Sequence, residues 1–263
     1  MLFYPQLQTG NIAQFPLKKL LRVRTVENQL MDGSRIVQRG LQPMVSEWEL
    51  RYNGISEAER IAIEQFHSQA EGRLHPFTFL DPMSNLLAWS EDLSKTVWTR
   101  DAGLAVTGGV AASDGGLRAS RLTNTAVIAQ DIKQTVSASG SFTYCLSVRA
   151  RATQPATFVL FIADGASRIT KEVVAATQWE THWVSGSFQS TAETLEFGIE
   201  THAGQSIEIF GMQVAPQPGP GDYVRTGAAG GVHDGVRFLD DRLSFTTSGP
   251  DDTAMTIRLT TTG

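Results

Sequence analysis

Between Leu104 and Val214 the chain repeats one event: a short apolar or alternating run, then a turn built on glycine. The runs are LAVT, RASRLT, VIAQDIKQTV, SFTYCLSVRAR, ATFVLFIA, WETHWVSGSF, TLEFGIET and QSIEIFGMQV. The breaks are of the Gly-Gly, Asp-Gly, Ser-Gly and Ala-Gly kind, which supply the positive φ angles that tight turns need. About eight strands with no helix between them predict an antiparallel sandwich, with a jelly roll as its expected version.

A different pattern precedes this region. Residues 56–72, SEAERIAIEQFHSQAEG, are the one predicted helix. Ser56 and Glu59 have the spacing of a capping box, in which each side chain satisfies an orphan backbone N–H. Ala58, Ile61, Ala62, Phe66 and Ala70 then recur three and four residues apart as an apolar stripe, and Gly72 closes the helix. Before it, SEWELRYN places Trp48, Leu50 and Tyr52 on one face and Glu47, Glu49 and Arg51 on the other, a period of two. LLRVRTV, SRIVQRG and PFTFL also read as strands. Residues 1–82 are therefore an α+β unit.

At 263 residues the chain exceeds one ordinary domain, and 41 % hydrophobic with 19 % charged residues is globular composition. A net charge of −5 speaks against a nucleic-acid-binding surface. The most basic run, Lys18, Lys19, Arg22 and Arg24, alternates with leucine and valine as a solvated strand face would. The single cysteine, Cys145, excludes an internal disulfide framework, and its apolar strand setting predicts a small buried hydrophobe. No run approaches the roughly 20 apolar residues of a membrane span, and MLFYPQLQTGN lacks the features of a signal peptide. Synthesis in the cytoplasm as a soluble protein is the expectation, with no membrane insertion.

The proline- and glycine-rich stretch APQPGPGDYVRTGAAGGVHDG precedes two or three last strands, VRFL, RLSFTT and AMTIRLT. Such a group is marginal alone in water, so it must complete another sheet. Since a domain inserted at an exposed loop costs its host little, a return to the first domain is expected. The predicted organisation is residues 1–84 plus 228–263 as one discontinuous domain, with 85–227 inserted. The overall class is mainly β.

Two resemblances follow from particular residues. Trp48-Glu49-Leu50-Arg51-Tyr52, the Ser56 helix, Phe66, Gly72 and Phe77-Thr78-Phe79-Leu80-Asp81-Pro82 together resemble phage tail proteins of the distal tail type. That resemblance implies a homo-oligomeric ring, usually of six copies, joining the tail tube to the tip or hub proteins of the baseplate in a virion. The second region resembles the jelly-roll, carbohydrate-binding-like modules of phage tail proteins. It matches at Asn85-Leu86-Leu87, Ser90-Glu91, Trp98, Ala119-Ser120-Arg121-Leu122-Thr123, Gln130, Ser147-Val148-Arg149-Ala150 and Trp179. The match continues through Ile209-Phe210-Gly211-Met212-Gln213-Val214 and Tyr223-Val224-Arg225-Thr226. Ala215 stands where a common form of the ending has a glutamate, so any role of that acid is absent here.

No nucleophile elbow, phosphate loop, zincin pair or EF-hand loop is present, so neither catalysis nor a metal or other cofactor is expected. His67, His75, His182, His202 and His233 are scattered. Asp240-Asp241 and Asp251-Asp252 fall between strands, where aspartate favours turns. GGVHDG reads as a flexible connection. A bacterial surface glycan is the one ligand class weighed, because sugars stack on exposed rings. The aromatic platforms are Trp89, Trp98, Trp179, Trp183 and Tyr223, and the glycan-contact candidates among them are Trp98, in the polar context TVWTRD, with Trp183 and Tyr223. The rival expectations are a ligand-free jelly roll serving as spacer or subunit contact, and a tail-associated glycan hydrolase.

Overall fold

A computed structural model of the protein describes residues 1–23, 25–40 and 44–261. In chain order the elements are β1 (Lys18–Arg22), β2 (Thr25–Gln29), β3 (Arg35–Arg39), β4 (Val45–Ile55), α1 (Glu57–Gln69) and β5 (Phe77–Leu80). There follow β6 (Thr99–Arg100), β7 (Leu104–Val110), β8 (Ala119–Asn124), β9 (Gln130–Ser137), β10 (Tyr144–Arg151) and β11 (Ala156–Ala163). The rest are β12 (Arg168–Ala175), β13 (Glu180–Gly186), β14 (Thr194–Thr201), β15 (Ser206–Ala215), β16 (Val232–Phe238), β17 (Phe245–Gly249) and β18 (Asp252–Thr261). Two compact units share the chain: Met1–Leu7, Ala13–Phe79 and His233–Gly263 make the first, Gln8–Ile12 and Leu80–Val232 the second.

The first unit is a sheet of order β1-β4-β18-β16-β5, with β17 paired to β18. Trp48, Leu50 and Tyr52 of β4 lie opposite Leu259, Ile257 and Met255 of β18, and all six side chains are buried. Gly54, at φ 64°, sits where the β4–β18 register shifts, and the extra residue turns Ile55 back into the core. The capping box of α1 is present: Ser56 accepts from the Glu59 amide, and the Glu59 carboxylate accepts from the Ser56 amide at 2.8 Å. Its buried face is Ile63, Phe66 and Ala70, whereas Ala58, Ile61 and Ala62 of the expected stripe are exposed, which corrects it. Ile61 and Ile63 lie about 200° apart around a helix, so only one can face the sheet. Tyr4, Phe66, Phe77, Phe79 and Phe238 form an aromatic core under the helix. Within it the Tyr4 and Tyr52 hydroxyls are hydrogen-bonded at 3.0 Å.

Two expectations for this unit change. LLRVRTV is not one strand, because β1 ends at Arg22 and β2 begins at Thr25. Arg24 of the basic run lies outside the described residues. GGVHDG is no flexible connection: β16 starts at Val232, and Asp234 accepts a 2.7 Å hydrogen bond from the Thr78 hydroxyl. The β2–β3 ribbon is paired only within itself among the described residues, and every residue of both strands is exposed.

The second unit is a sandwich of two sheets, β13-β10-β15-β8-β7 and β12-β11-β14-β9-β6. Each strand from β8 to β11 pairs with its mirror image in the second half: β8 with β15, β9 with β14, β10 with β13 and β11 with β12. That is one long antiparallel hairpin rolled on itself, a jelly roll. Phe158, Leu160, Ile162, Leu195, Phe197 and Ile199 pack from one sheet onto Leu146, Val148, Ala150, Ile207 and Val214 of the other, all buried. The strand β12 was not anticipated; its sequence RITKEVVA carries little alternation because it is an outer strand with mostly exposed residues. Conversely Val127 and Ile128, read as strand, are 93 % and 66 % exposed and precede β9.

Side-chain amides fasten the start of the sandwich. Buried Asn85 accepts from the Leu87 and Val214 amides, both at 3.0 Å, and donates to the Met212 carbonyl at 2.9 Å. Gln134 forms both bonds of a pair with the Ala88 backbone. Gly230 passes so close that a Cβ would stand 2.2 Å from the Leu86 carbonyl oxygen. Asn85→Ala orphans three buried backbone groups and is expected to cost about 2–4 kcal/mol. A drop in urea midpoint at unchanged slope checks this; an unchanged midpoint refutes the role.

Candidate glycan groove

Alternate residues of β10 point inward (Leu146, Val148, Ala150), leaving Ser147 and Arg149 on the outer face of their sheet. Directly opposite on β13 stand Trp183, across from Ser147, and Thr181, across from Arg149. On the other side Gln213 of β15 faces Ser147. Between Ser147 and Arg149 the β10–β15 register shifts, and β15 turns there through Gly211, at φ 66°.

The chain leaving β15 crosses back over this face. Gln213 holds it, accepting from the Val224 amide at 2.7 Å and donating to the Asp222 carbonyl at 3.1 Å. Tyr223 lies on Gly211, where a Cβ would come within 3.3 Å of the ring. The phenol is fixed beyond that point by Ser90 at 2.8 Å and by the carboxylate of Glu91 at 3.3 Å, while its ring packs on Phe210 with centroids 5.6 Å apart. Burial, first of all, raises the Tyr223 pKa well above the ordinary tyrosine value. Glu91 itself is buried and also binds Arg118 at 2.8 Å and Arg225 at 3.0 Å. At the far end of the crossing segment, Pro218 rests against Gly10, where a Cβ would meet its ring at 2.7 Å.

Sheet and crossing segment enclose a groove of about 460 Å³, lined among others by Ser147, Arg149, Thr181, Gly221, Asp222 and Tyr223. Arg149 donates to the Ser113 hydroxyl at 3.0 Å, and neither Arg149 nor Asp222 has an ion-pair partner among the described residues. The groove therefore offers an unneutralised donor fork, an unneutralised acceptor and two hydroxyls. Trp183, 39 % exposed, shares this face, with the Lys171 ammonium 4.7 Å from its ring centroid. A polyhydroxylated ring needs such a set: paired donors and acceptors for its hydroxyls and an aromatic face for its C–H surface.

No family model matches this sequence, and no curated protein matches it. Among solved structures, the enzymatically active domain of bacteriophage CBA120 tailspike protein 4 is similar at 17 % identity and a TM-score of 0.41. That similarity covers 52 % of this chain and 22 % of the tailspike chain, so this protein spans about a fifth of that relative's length. A CBM4 carbohydrate-binding module is similar over 49 % of this chain and 94 % of its own, with 19 % identity and a TM-score of 0.39. The CBM22-1 xylan-binding domain of Paenibacillus barcinonensis Xyn10C covers 52 % and 96 %, with 14 % identity and a TM-score of 0.41.

Of the three candidate rings, Trp183 stands on the groove face and Tyr223 forms the groove wall. Trp98 is withdrawn from solvent at 5 % exposure, its indole N–H donated to the Trp89 carbonyl at 3.1 Å. The polar context TVWTRD misleads because Thr99 and Arg100 are exposed while the ring turns inward. It offers no ligand face, and this corrects the expectation. Trp179 packs beside Phe210, Ala112 and Ala119 under the Arg151 guanidinium, and Trp89 carries Lys95 over its ring.

Ser147, Arg149, Thr181 and Asp222 were not singled out as ligand residues. The first two were within reach, since period two in TYCLSVRAR puts them together opposite the apolar set. Asp240 pairs with Arg258, Asp241 with Arg73, and Asp251 accepts from the Glu57 amide at the helix start, so neither aspartate pair converges on a site. Cys145 is buried, and desolvation pushes its thiol up to about 12.

Proposed function

We propose that this chain is a structural protein of a phage or phage-like tail, in which the first unit builds a homo-oligomeric ring at the distal end. The jelly roll then holds a bacterial surface glycan in the groove beside Trp183. The groove carries the glycan reading: Arg149 and Asp222 stand in it with no ion-pair partner among the described residues, beside the Ser147 and Thr181 hydroxyls, and the part-exposed Trp183 indole lies on the same sheet face outside its lining. No catalytic step is needed, and the groove lining holds one carboxylate, Asp222, where glycoside hydrolysis uses two. A single small groove gives weak affinity, which several copies in a ring convert into avidity.

The ring reading is supported by the β2–β3 ribbon. It exposes Val26, Ile36 and Val37, with Leu30 and Met31 at its turn, and a solitary ribbon of this kind is marginal in water unless assembly covers it. The resemblance of the first region supplies the six-fold expectation and the tube and hub partners.

Titration of the full chain with purified bacterial surface polysaccharides is expected to show binding that Trp183→Ala and Arg149→Ala each weaken by about tenfold. Equal binding by both variants rejects the groove. Absence of any binding leaves the jelly roll as a spacer, and release of reducing ends replaces the adhesin with a hydrolase. Mass photometry at micromolar concentration tests the ring, which a persistent monomer contradicts.

A further inference from the structure

The groove is closed at one end, and what closes it bears on which part of a glycan it accepts. A saccharide crossing the outer face at right angles to the strands would run from β13 over β10 to β15 and on to β8. It meets Tyr223 at β15. The ring is clamped over Gly211 by its own bonds to Ser90 and Glu91, and Gln213 pins the backbone on either side of it. Beyond the ring the face is already filled, since Ala112, Ala119 and Phe210 form a small apolar cluster with Tyr223 packed against it. The Arg118 guanidinium lies 5.2 Å from the Phe210 centroid and completes the cover. A second side is narrowed where Arg149 bonds to Ser113 of the turn that follows β7. Towards β13 the cover is lighter: Thr181 and Trp183 are exposed on the sheet's outermost strand, and the Lys171 ammonium lies against one face of the Trp183 ring.

We infer that the groove is a blind slot that recognises the terminus of a glycan, entering past Trp183 and stopping against Tyr223, and not an internal stretch of polymer. This rests on the glycan reading above. From β13 to β15 is two strand spacings, about 10 Å, which is the length of about two pyranose rings. The slot thus holds a terminal sugar and its neighbour, while the remaining chain lies in solvent beyond Trp183.

The test is a titration series with the full chain. Ladders of gluco-, galacto-, xylo- and N-acetylglucosamine oligomers of one to six units, extended to oligomers released from bacterial surface polysaccharide, are compared with their parent polymers. The expected result is affinity that rises by about tenfold from one unit to two and then changes by less than about twofold up to six. The number of proteins bound per polymer molecule should equal the number of ends of one kind, reducing or non-reducing, and stay the same as the polymer lengthens. Affinity that keeps climbing through four to six units, or stoichiometry that scales with polymer length, overturns the blind slot while leaving glycan binding intact. No binding to any ladder or polymer removes the glycan reading itself and this inference with it.

Discussion

Above pH 10 the first unit is expected to lose about 2.7 kcal/mol of stability for each further pH unit. The cause is the buried pair Tyr4 and Tyr52, each 1 % exposed, with hydroxyls bonded to one another. Desolvation leads the upward shift of both folded pKa values; the charge of the partner adds to it for Tyr4, and that of Glu59 for Tyr52. In the unfolded chain both phenols ionise near the ordinary value of about 10. Past that pH the unfolded state binds fewer protons than the folded one, so stability falls as pH rises, by about 1.36 kcal/mol per unit for each phenol. Below it neither form ionises, and the pair contributes no pH dependence. The second unit moves in the same direction with a comparable slope, through Tyr144, also 1 % exposed, and Tyr223, since burial raises the folded pKa of both. Urea midpoints between pH 8 and 11.5, with tyrosinate absorbance recorded in parallel, check the expectation. Ionisation of all four tyrosines near pH 10 in the folded protein would contradict it.

Phe197→Ala is expected to destabilise the jelly roll by about 3–5 kcal/mol. The side chain is fully buried between the sheets, edge-on to Tyr144 at 5.6 Å, and lies opposite Ile162 of β11 and Gln134 of β9. Its removal leaves a cavity walled by strands of both sheets, which cannot close because each is tied by its ladder. Against a total stability of roughly 5–15 kcal/mol this is a large share, so the variant unfolds many degrees earlier. Trp183→Ala removes a ring that is 39 % exposed and should cost clearly less than Phe197→Ala, leaving the jelly roll folded. Loss of binding by Trp183→Ala then reports on the groove, and a Phe197→Ala penalty below about 1 kcal/mol would show the core placement to be wrong.

Features set by neighbouring residues were legible in the sequence. The Ser56–Glu59 capping box marks the start of α1, and the alternation of SEWELRYN states which side of β4 is buried, because both depend on residues only a few positions apart. The glycine-punctuated runs likewise convey an antiparallel sandwich. Where the pattern is weak or double, reading fails for an identifiable reason. The outer strand β12 buries too little to alternate, and α1 carries two isoleucines of which the tertiary fold selects one.

The groove belongs to the other class. Its floor is readable from β10, yet its wall is Tyr223, far along the chain and seated on a glycine that only the bulge in β15 places beneath it. Trp98 and Trp183 have similar surroundings in sequence and opposite fates in space. Alternation and capping are local and thus written in the sequence itself: mainly β, one capped helix, a two-faced sheet. Which outer face is covered, which ring stays in solvent and where a ligand must stop are set by contacts between distant segments, and those only the folded chain decides.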